Sequence, residues 1–564
     1  MLTRLVVRNF KTLEDVDIDL GQNVVFIGPN NSGKTSALQA LALWQTGVRA
    51  WAGRGGMPPA ERDLWATINR LGLYYIPVRD ARQLWRGLKV SRQFKWAEAD
   101  FTDSILLEVG VEGQTENEAW RFAMEFVCVN TESLYCRAAL SGDGRRMDVP
   151  RMASQVRIAP IAPMSGVANE EEELQPGRVE TLVGEGQTAR VLRNLCLAVR
   201  NRSPERWQTI ALRLEKMFGV ELGTPQRDSA RGTVELTYRE SGTELDIASA
   251  GRGLQQTLLL LAHMHANPGA TLLLDEPDAH LEVLRQRQIY NLLTDSARES
   301  GSQLIMASHS EIIMNEAAGR DVVIAFVGKP HRINDKTGEL LKSLTSIGFD
   351  QYLQAEQKPG VLYLEGPTDL AMLRAFAERL NHPAREVLRE PFAHYVGNQP
   401  ALASAHYFGL REAKPGLRAF ALFDRRDHGL PVDFAIEGHC WRRREIENYV
   451  TRRDVLLGFA AGGPAGDLLA QAEATRRHDA MASALGEVER AQETLGRDAW
   501  GADIKASEEV LPAVFRLFYK ALGLRNEMNK ADFHELVAHV EPSDIDPEVT
   551  AVLDRINAIL AATP

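Results

Sequence analysis

The chain has 564 residues, of which 44% are hydrophobic and 25% charged, with a formal net charge of −11 and a pI near 5.7. That length asks for two or three domains with true cores, and the acidic balance excludes a uniformly basic coat, so any surface for a polyanion must be local. Cys128, Cys136, Cys196 and Cys440 show no C-x-x-C spacing, which argues against a zinc cluster or a disulfide framework.

The start, MLTRLVVRNF, reads as a charged strand and not as a signal peptide. No apolar run approaches the roughly 18 residues of a membrane span, so a cytoplasmic protein is expected. Val24 to Ile27 form a buried strand that runs into Gly28-Pro29-Asn30-Asn31-Ser32-Gly33-Lys34-Thr35-Ser36, and an apolar helix follows. This is G-x-x-x-x-G-K-[ST] in its strand–loop–helix context. Glycines let the backbone N–H groups of Asn30 to Ser36 curl around phosphates, and the new helix adds its positive end. Lys34 would reach the outer phosphates and the Thr35 hydroxyl would hold Mg²⁺, which makes ATP the expected ligand.

Strand-like runs follow at Ser104 to Val111 and Trp120 to Val127, then a helical region over about Thr188 to Phe218. Glu170 to Gly177 reads as a polar, exposed loop. Ser249-Ala250-Gly251-Arg252-Gly253 is a glycine turn opening a helix from Leu254 to Met264. Leu272-Leu273-Leu274-Asp275-Glu276 is an apolar strand ending in two carboxylates, suited to Mg²⁺ (Asp275) and to orienting a water (Glu276). The strand Gln303 to Ala307 ends in Ser308-His309-Ser310. Two such strands, side by side, would bring Glu276 and His309 to one ligand.

These four pieces, in this order, resemble the ATP-binding-cassette class of ATPases, and Leu5 to Phe10 followed by GPNNSGKT resembles its recombination- and SMC-related branch. The resemblance implies head-to-tail pairing, in which Ser249 and Gly251 of one protomer cover ATP held by the Walker loop of another. Arg252 stands where a small residue is usual. The Q-loop glutamine has only Gln83 and Gln93 as candidates. The insert between Lys34 and Ser249 lacks two long heptad segments, so an SMC arm is excluded.

Lys329 to Gly360 reads as a connector. The strand Val361 to Leu364 then ends in Glu365-Gly366-Pro367-Thr368-Asp369, with a helix from Leu370 to Leu380. The strand Ala419 to Phe423 ends in Asp424-Arg425-Arg426-Asp427. Glu445, Glu447 and Lys530 follow, with a charged helical insert from about Asp467 to Leu495. Carboxylates at adjacent strand ends make an oxygen-rich pocket for Mg²⁺ or Mn²⁺. Arg79 to Trp96 and Trp441 to Arg453 are the two basic stretches fit for phosphates.

The second half resembles a TOPRIM domain, and the whole chain resembles the OLD family of ATP-dependent endonucleases, including Gabija nuclease-subunit-like anti-phage effectors. The resemblance implies an α/β chain: an ABC-type P-loop ATPase domain over residues 1–345 with a helical, dimerising insert at about 165–220, then a Rossmann-like TOPRIM domain over 358–564 with a helical insert at about 467–525 and a helical C-terminal region. It assigns Glu365, Asp369, Asp424, Glu447 (with Glu445 as rival) and Lys530 to a metal-dependent site on DNA. Arg426 stands where the second acid of D-x-D belongs, and Asp427 is the expected substitute. A homodimer or higher homo-oligomer, a partner protein of a defence system, and no membrane are implied. The alternative is an ATP-driven DNA-binding sensor whose degenerate TOPRIM site does not cut.

Overall fold

The computed structural model describes residues 1–52, 65–96, 99–115, 118–163, 166–326, 329–333, 348–414, 416–462 and 468–561. The chain divides into two compact units, Met1–Leu341 and Lys342–Pro564. The expected first-domain end at 345 and the insert start at Asp467 lie outside the described residues, as does part of the connector, 334–347.

The first unit holds two six-stranded sheets. One is antiparallel, in the order Leu13–Asp19, Leu2–Phe10, Leu107–Thr115, Glu118–Cys128, Ser133–Ala138, Ala66–Asn69. The other runs Ile158–Ile161, Thr271–Asp275, Gln303–Ser308, Asn23–Ile27, Val322–Ala325, His331–Arg332, and is parallel except for its last strand. Its middle strands are apolar on both faces, as a sheet covered on both sides requires.

The helix Lys34–Ala52 shares one core with strands of both sheets. Its Trp44 ring N–H donates to Phe122 O at 2.9 Å. A Cβ on Gly47 would lie 2.9 Å from the Phe126 ring, so glycine is what lets helix and sheet approach. The insert carries Pro176–Gly184, Leu192–Arg202 and Pro204–Phe218, short helices in place of arms. Ser203 caps the third through the Arg206 N–H and Gly219 closes it at φ 73°.

The second unit is built on a four-stranded parallel sheet in the order Phe392–Tyr395, Gly360–Leu364, Arg418–Phe423, Glu437–Cys440. Alternate side chains of its central strands enter two separate apolar clusters, one on each face. The larger cluster takes in the helices Pro367–Arg379, Leu468–Thr494, Leu511–Leu522 and Pro547–Leu560. Tyr363 lies opposite Ala421, so the two central strands end side by side, at Glu365 and Asp424.

Candidate active sites

The first site gathers at the C-terminal ends of three neighbouring strands. Ser308 pairs with Ile27, and Asp275 with Ala307, so the SHS strand lies between the phosphate-loop strand and the Asp-Glu strand. Gly28, Asn31 and Gly33 have φ of 158°, 63° and 103°. A Cβ on Gly28 would sit 2.7 Å from Phe326 O, and one on Gly33 2.8 Å from Leu13, so the curl leaves no room for a side chain at either position.

Lys34 is buried and donates to Gly28 O and Pro29 O, each at 2.7 Å. Burial lowers its pKa, while Glu276, Asp275 and Asp278 oppose that. The Thr35 hydroxyl donates to Asp275, with oxygens at 2.9 and 3.1 Å. Burial pushes the Asp275 carboxyl up to about 6. Glu276 sits at φ 46°, its N–H held by Ala307 O at 2.9 Å, and its Oε1 lies 3.8 Å from His309 Nδ1. The buried, unpartnered hydroxyl of Ser32 also belongs to the loop. A buried cation, a hydroxyl beside a carboxylate and a curled backbone at a helix start fit a nucleotide with Mg²⁺.

Ser249 and Gly251 are exposed, as is Arg252, while Ile247 and Ala250 of the same turn are buried. Gly253 packs on the loop after the Asp-Glu pair, where a Cβ would stand 3.0 Å from Leu281. Neither Gln83 nor Gln93 lines the cavity of about 120 Å³ beside Thr35 and Asp275, which Gln39 does line. Gln83 instead receives the Arg79 N–H at 3.0 Å. Lys11, which the sequence reading missed, donates to Gln39 at 2.5 Å and is pushed down to about 8 by burial. Its one sequence signal is its place, directly after the first strand.

The second site lies at the strand ends of the second unit. Asp369 Oδ2 accepts the Gly366 N–H at 2.9 Å and caps its own helix. Burial pushes its carboxyl up to about 6. Burial raises Asp424 strongly, and the neighbouring Glu365 adds charge and a hydrogen bond. Glu447 is pushed up to about 8, first by burial and then by Glu445. Lys530 is the countercharge felt by Asp369, Glu445 and Glu447.

Glu445 is committed elsewhere: one oxygen accepts the Ser507 N–H and the other the Ser507 hydroxyl, the latter at 2.9 Å. That leaves Glu447 as the freer of the two rivals. Ser507 belongs to a short π-helical turn, Ala506–Val510, of the kind common at functional sites. Lys505, beside it, faces Glu445 and Glu365. Nothing in their local sequence marks either residue.

Asp427 is not brought to this site. Arg426 donates to Asn398 O at 2.5 Å and to Gly429 O at 3.2 Å, and the turn closed by the Gly429 N–H on Arg426 O leaves Asp427 exposed. Among the described residues, no three His, Cys, Asp or Glu groups converge as a ready ligand set. The donor chemistry nevertheless fits a hard divalent ion, and Glu365 Oε2 is buried without a hydrogen-bond partner.

The basic stretches are largely neutralised. Arg86 pairs with Glu14, Arg92 with Asp103, Arg452 with Asp454 and Arg453 with Glu489. Trp85 is buried, and the side chains of Phe94, Lys95 and Trp96 lie outside the described residues. Arg444 is exposed and Arg443 lies over the Tyr449 ring at 5.4 Å. Among the described residues no helix is long and apolar enough to cross a membrane.

The sheet order and the loop define a P-loop ATPase unit. Two family models match it: AAA ATPase domain over residues 1–48, and AAA domain, putative AbiEii toxin, Type IV TA system, over residues 166–315. An OLD nuclease of Thermus scotoductus (strain ATCC 700910 / SA-01) is 22% identical over 348 residues, 55% of this chain and 59% of that protein. The chain is thus similar to the OLD nucleases, as its motifs imply, and its match spans about three-fifths of that relative's length. Among solved structures, an SMC head bound to the C-winged helix domain of ScpA has 14% identity and a TM-score of 0.36, covering 59% of this chain and 98% of that one. The SMC head domain from Thermotoga maritima has 15% identity and a TM-score of 0.32, covering the same shares.

Proposed function

We propose that this chain is an ATP-regulated, divalent-metal-dependent DNA endonuclease of the OLD type, cytoplasmic and acting in anti-phage defence. The observation that carries the nuclease reading is the group of half-buried Glu365, Asp369 and Asp424 with buried Glu447 and exposed Lys530, at the adjacent strand ends of a parallel sheet. So many acids in one partly dehydrated place cost stability unless they serve a cation. On this reading the second unit is the TOPRIM domain, and a bound Mg²⁺ or Mn²⁺ supplies charge neutralisation for the phosphodiester and its attacking oxygen. Asp369 fixes the turn that carries Glu365, Lys530 holds positive charge by the phosphate, and Ser507 keeps Glu445 in place.

In the first unit Lys34, which donates to the Gly28 and Pro29 carbonyls, would meet the ATP phosphates. Thr35 and Asp275 would hold Mg²⁺, and Glu276, with His309 beside it, would orient water. The exposed edge of the Ser249–Arg252 turn suits docking on a second head, which makes a homodimer or larger homo-oligomer the working state.

One observation favours the second reading, a non-cutting sensor acting through a partner effector: Arg426 fills the place of an acid and is tied to two main-chain carbonyls. Incubation of plasmid with Mg²⁺ or Mn²⁺, with and without ATP, separates the two. Cleavage by wild type and none by Glu365→Ala supports the endonuclease. An intact plasmid under every condition, with ATP still hydrolysed, supports the sensor.

A further inference from the structure

The turn that presents Ser249 is held from behind by a buried arginine of the insert. The carboxylate of Asp246 caps the turn, accepting the Ala248 N–H at 2.7 Å, and the Gln255 amide donates to Ile247 O at 2.9 Å and Ala248 O at 3.2 Å. The same Asp246 oxygen accepts Arg193 Nη2 at 2.7 Å. Arg193 belongs to the insert helix Leu192–Arg202, and its side chain is 1% exposed.

The other donors of Arg193 hold the strap before that helix: Nη1 to Ala168 O at 2.8 Å and Nη2 to Asn169 O at 3.3 Å. Glu171, in the stretch read from sequence as an exposed polar loop, is buried. Burial raises its carboxyl, and it accepts the Arg193 and Asn194 N–H groups at 2.8 and 2.6 Å. The strap, the insert helix and the Ser249–Gly253 turn, which is the signature turn of the ATP-binding-cassette resemblance, therefore meet in one guanidinium. A planar fork spans three such acceptors and an ammonium does not.

We propose that Arg193 is a positioning residue that sets the signature turn and couples the insert to ATP turnover, so that a pull on the Ala168–Glu171 strap changes how Ser249 meets the nucleotide of a partner head. This rests on the reading of the first unit as a head that pairs across ATP. Arg193 touches neither the phosphate loop nor the Asp-Glu pair in any described contact, so ATP affinity of the isolated head is not its business.

The test uses the full chain. Asp246→Asn keeps the cap on Ala248 and alters only the charge facing Arg193, at a side chain 45% exposed, so folding is retained. Arg193→Lys keeps the charge and loses the fork. Both should lower kcat for ATP about tenfold, the scale of one lost charge-assisted hydrogen bond, with KM unchanged. Both should also weaken the ATP-locked dimer in a Glu276→Gln background. The wild-type kcat and dimer in both variants would overturn the proposal while leaving the head-pairing reading intact. A wild type whose turnover is unaffected by Lys34→Ala, or that hydrolyses ATP fully as a monomer, would overturn the head-pairing reading itself, and the proposal with it.

Discussion

Replacing Glu548 by Gln should unfold the second unit early and silence its acid site together. Glu548 is 4% exposed at its side chain and opens the helix Pro547–Leu560. It accepts the Tyr449 hydroxyl, His439 Nε2 at 2.8 Å, the Arg442 N–H at 3.0 Å and Arg442 Nε at 3.0 Å. These partners come from the segment that carries Glu445 and Glu447. The Tyr449, His439 and Arg442 donors outweigh burial and hold its carboxyl below the usual carboxylate value of 4.5.

Arg442 is 70% exposed, so its share is screened and discounted. Taking the charge away from the buried remainder costs about 3 kcal/mol. For a domain of this size that is a fall in Tm of about 6–12 °C. Because the folded value is depressed, this stability is present above pH 4.5 and is lost as pH falls through the folded value. Melting curves of wild type and Glu548→Gln should therefore be well separated at pH 7 and draw together as pH drops below 4.5. Equal melting at pH 7, or a gap that does not narrow in acid, would refute this account of the network.

Lys34→Ala should abolish phosphate contact and ATP turnover, whereas Glu276→Gln should bind ATP and hydrolyse it at least a hundredfold more slowly, by a rough reckoning from the loss of a water-orienting group; steady-state ATPase and nucleotide-binding assays check both. Asp424→Asn should remove plasmid cleavage and leave ATPase rates near wild type. Asp427→Ala should leave cleavage within about twofold of wild type, since an exposed carboxylate outside the site contributes little. A loss like that of Asp424→Asn would show that Asp427 enters the site on loading.

The phosphate loop was legible because its chemistry is local: Gly28 to Ser36 carry glycines, cation and hydroxyl within one turn and a helix start. Glu276, His309, Glu365 and Asp424 were legible for a related reason, since apolar strands that end abruptly on a polar residue place it at a sheet edge. The rest depends on contacts that spacing does not encode. Ser507 reaches Glu445 across 62 residues, and Glu548 reaches Tyr449 across 99. Buried acids such as Glu171 look like any charged loop until their partners are known. Asp427 failed for a different reason: the Arg426 side chain, with main-chain acceptors in reach, decides which way the turn faces.

The central claim is that the acids of the second unit form a divalent-metal site. The direct measurement is Mn²⁺ binding to the full chain, followed by calorimetry and by the electron spin resonance of the free ion, in wild type and in Asp424→Asn, both in a Lys34→Ala background to silence the nucleotide site. Saturable binding that releases protons and disappears in Asp424→Asn is the predicted result, because Asp424 and Glu447 are raised by burial and must ionise to take the ion. Binding that is absent, or that is unchanged by Asp424→Asn, would contradict the account.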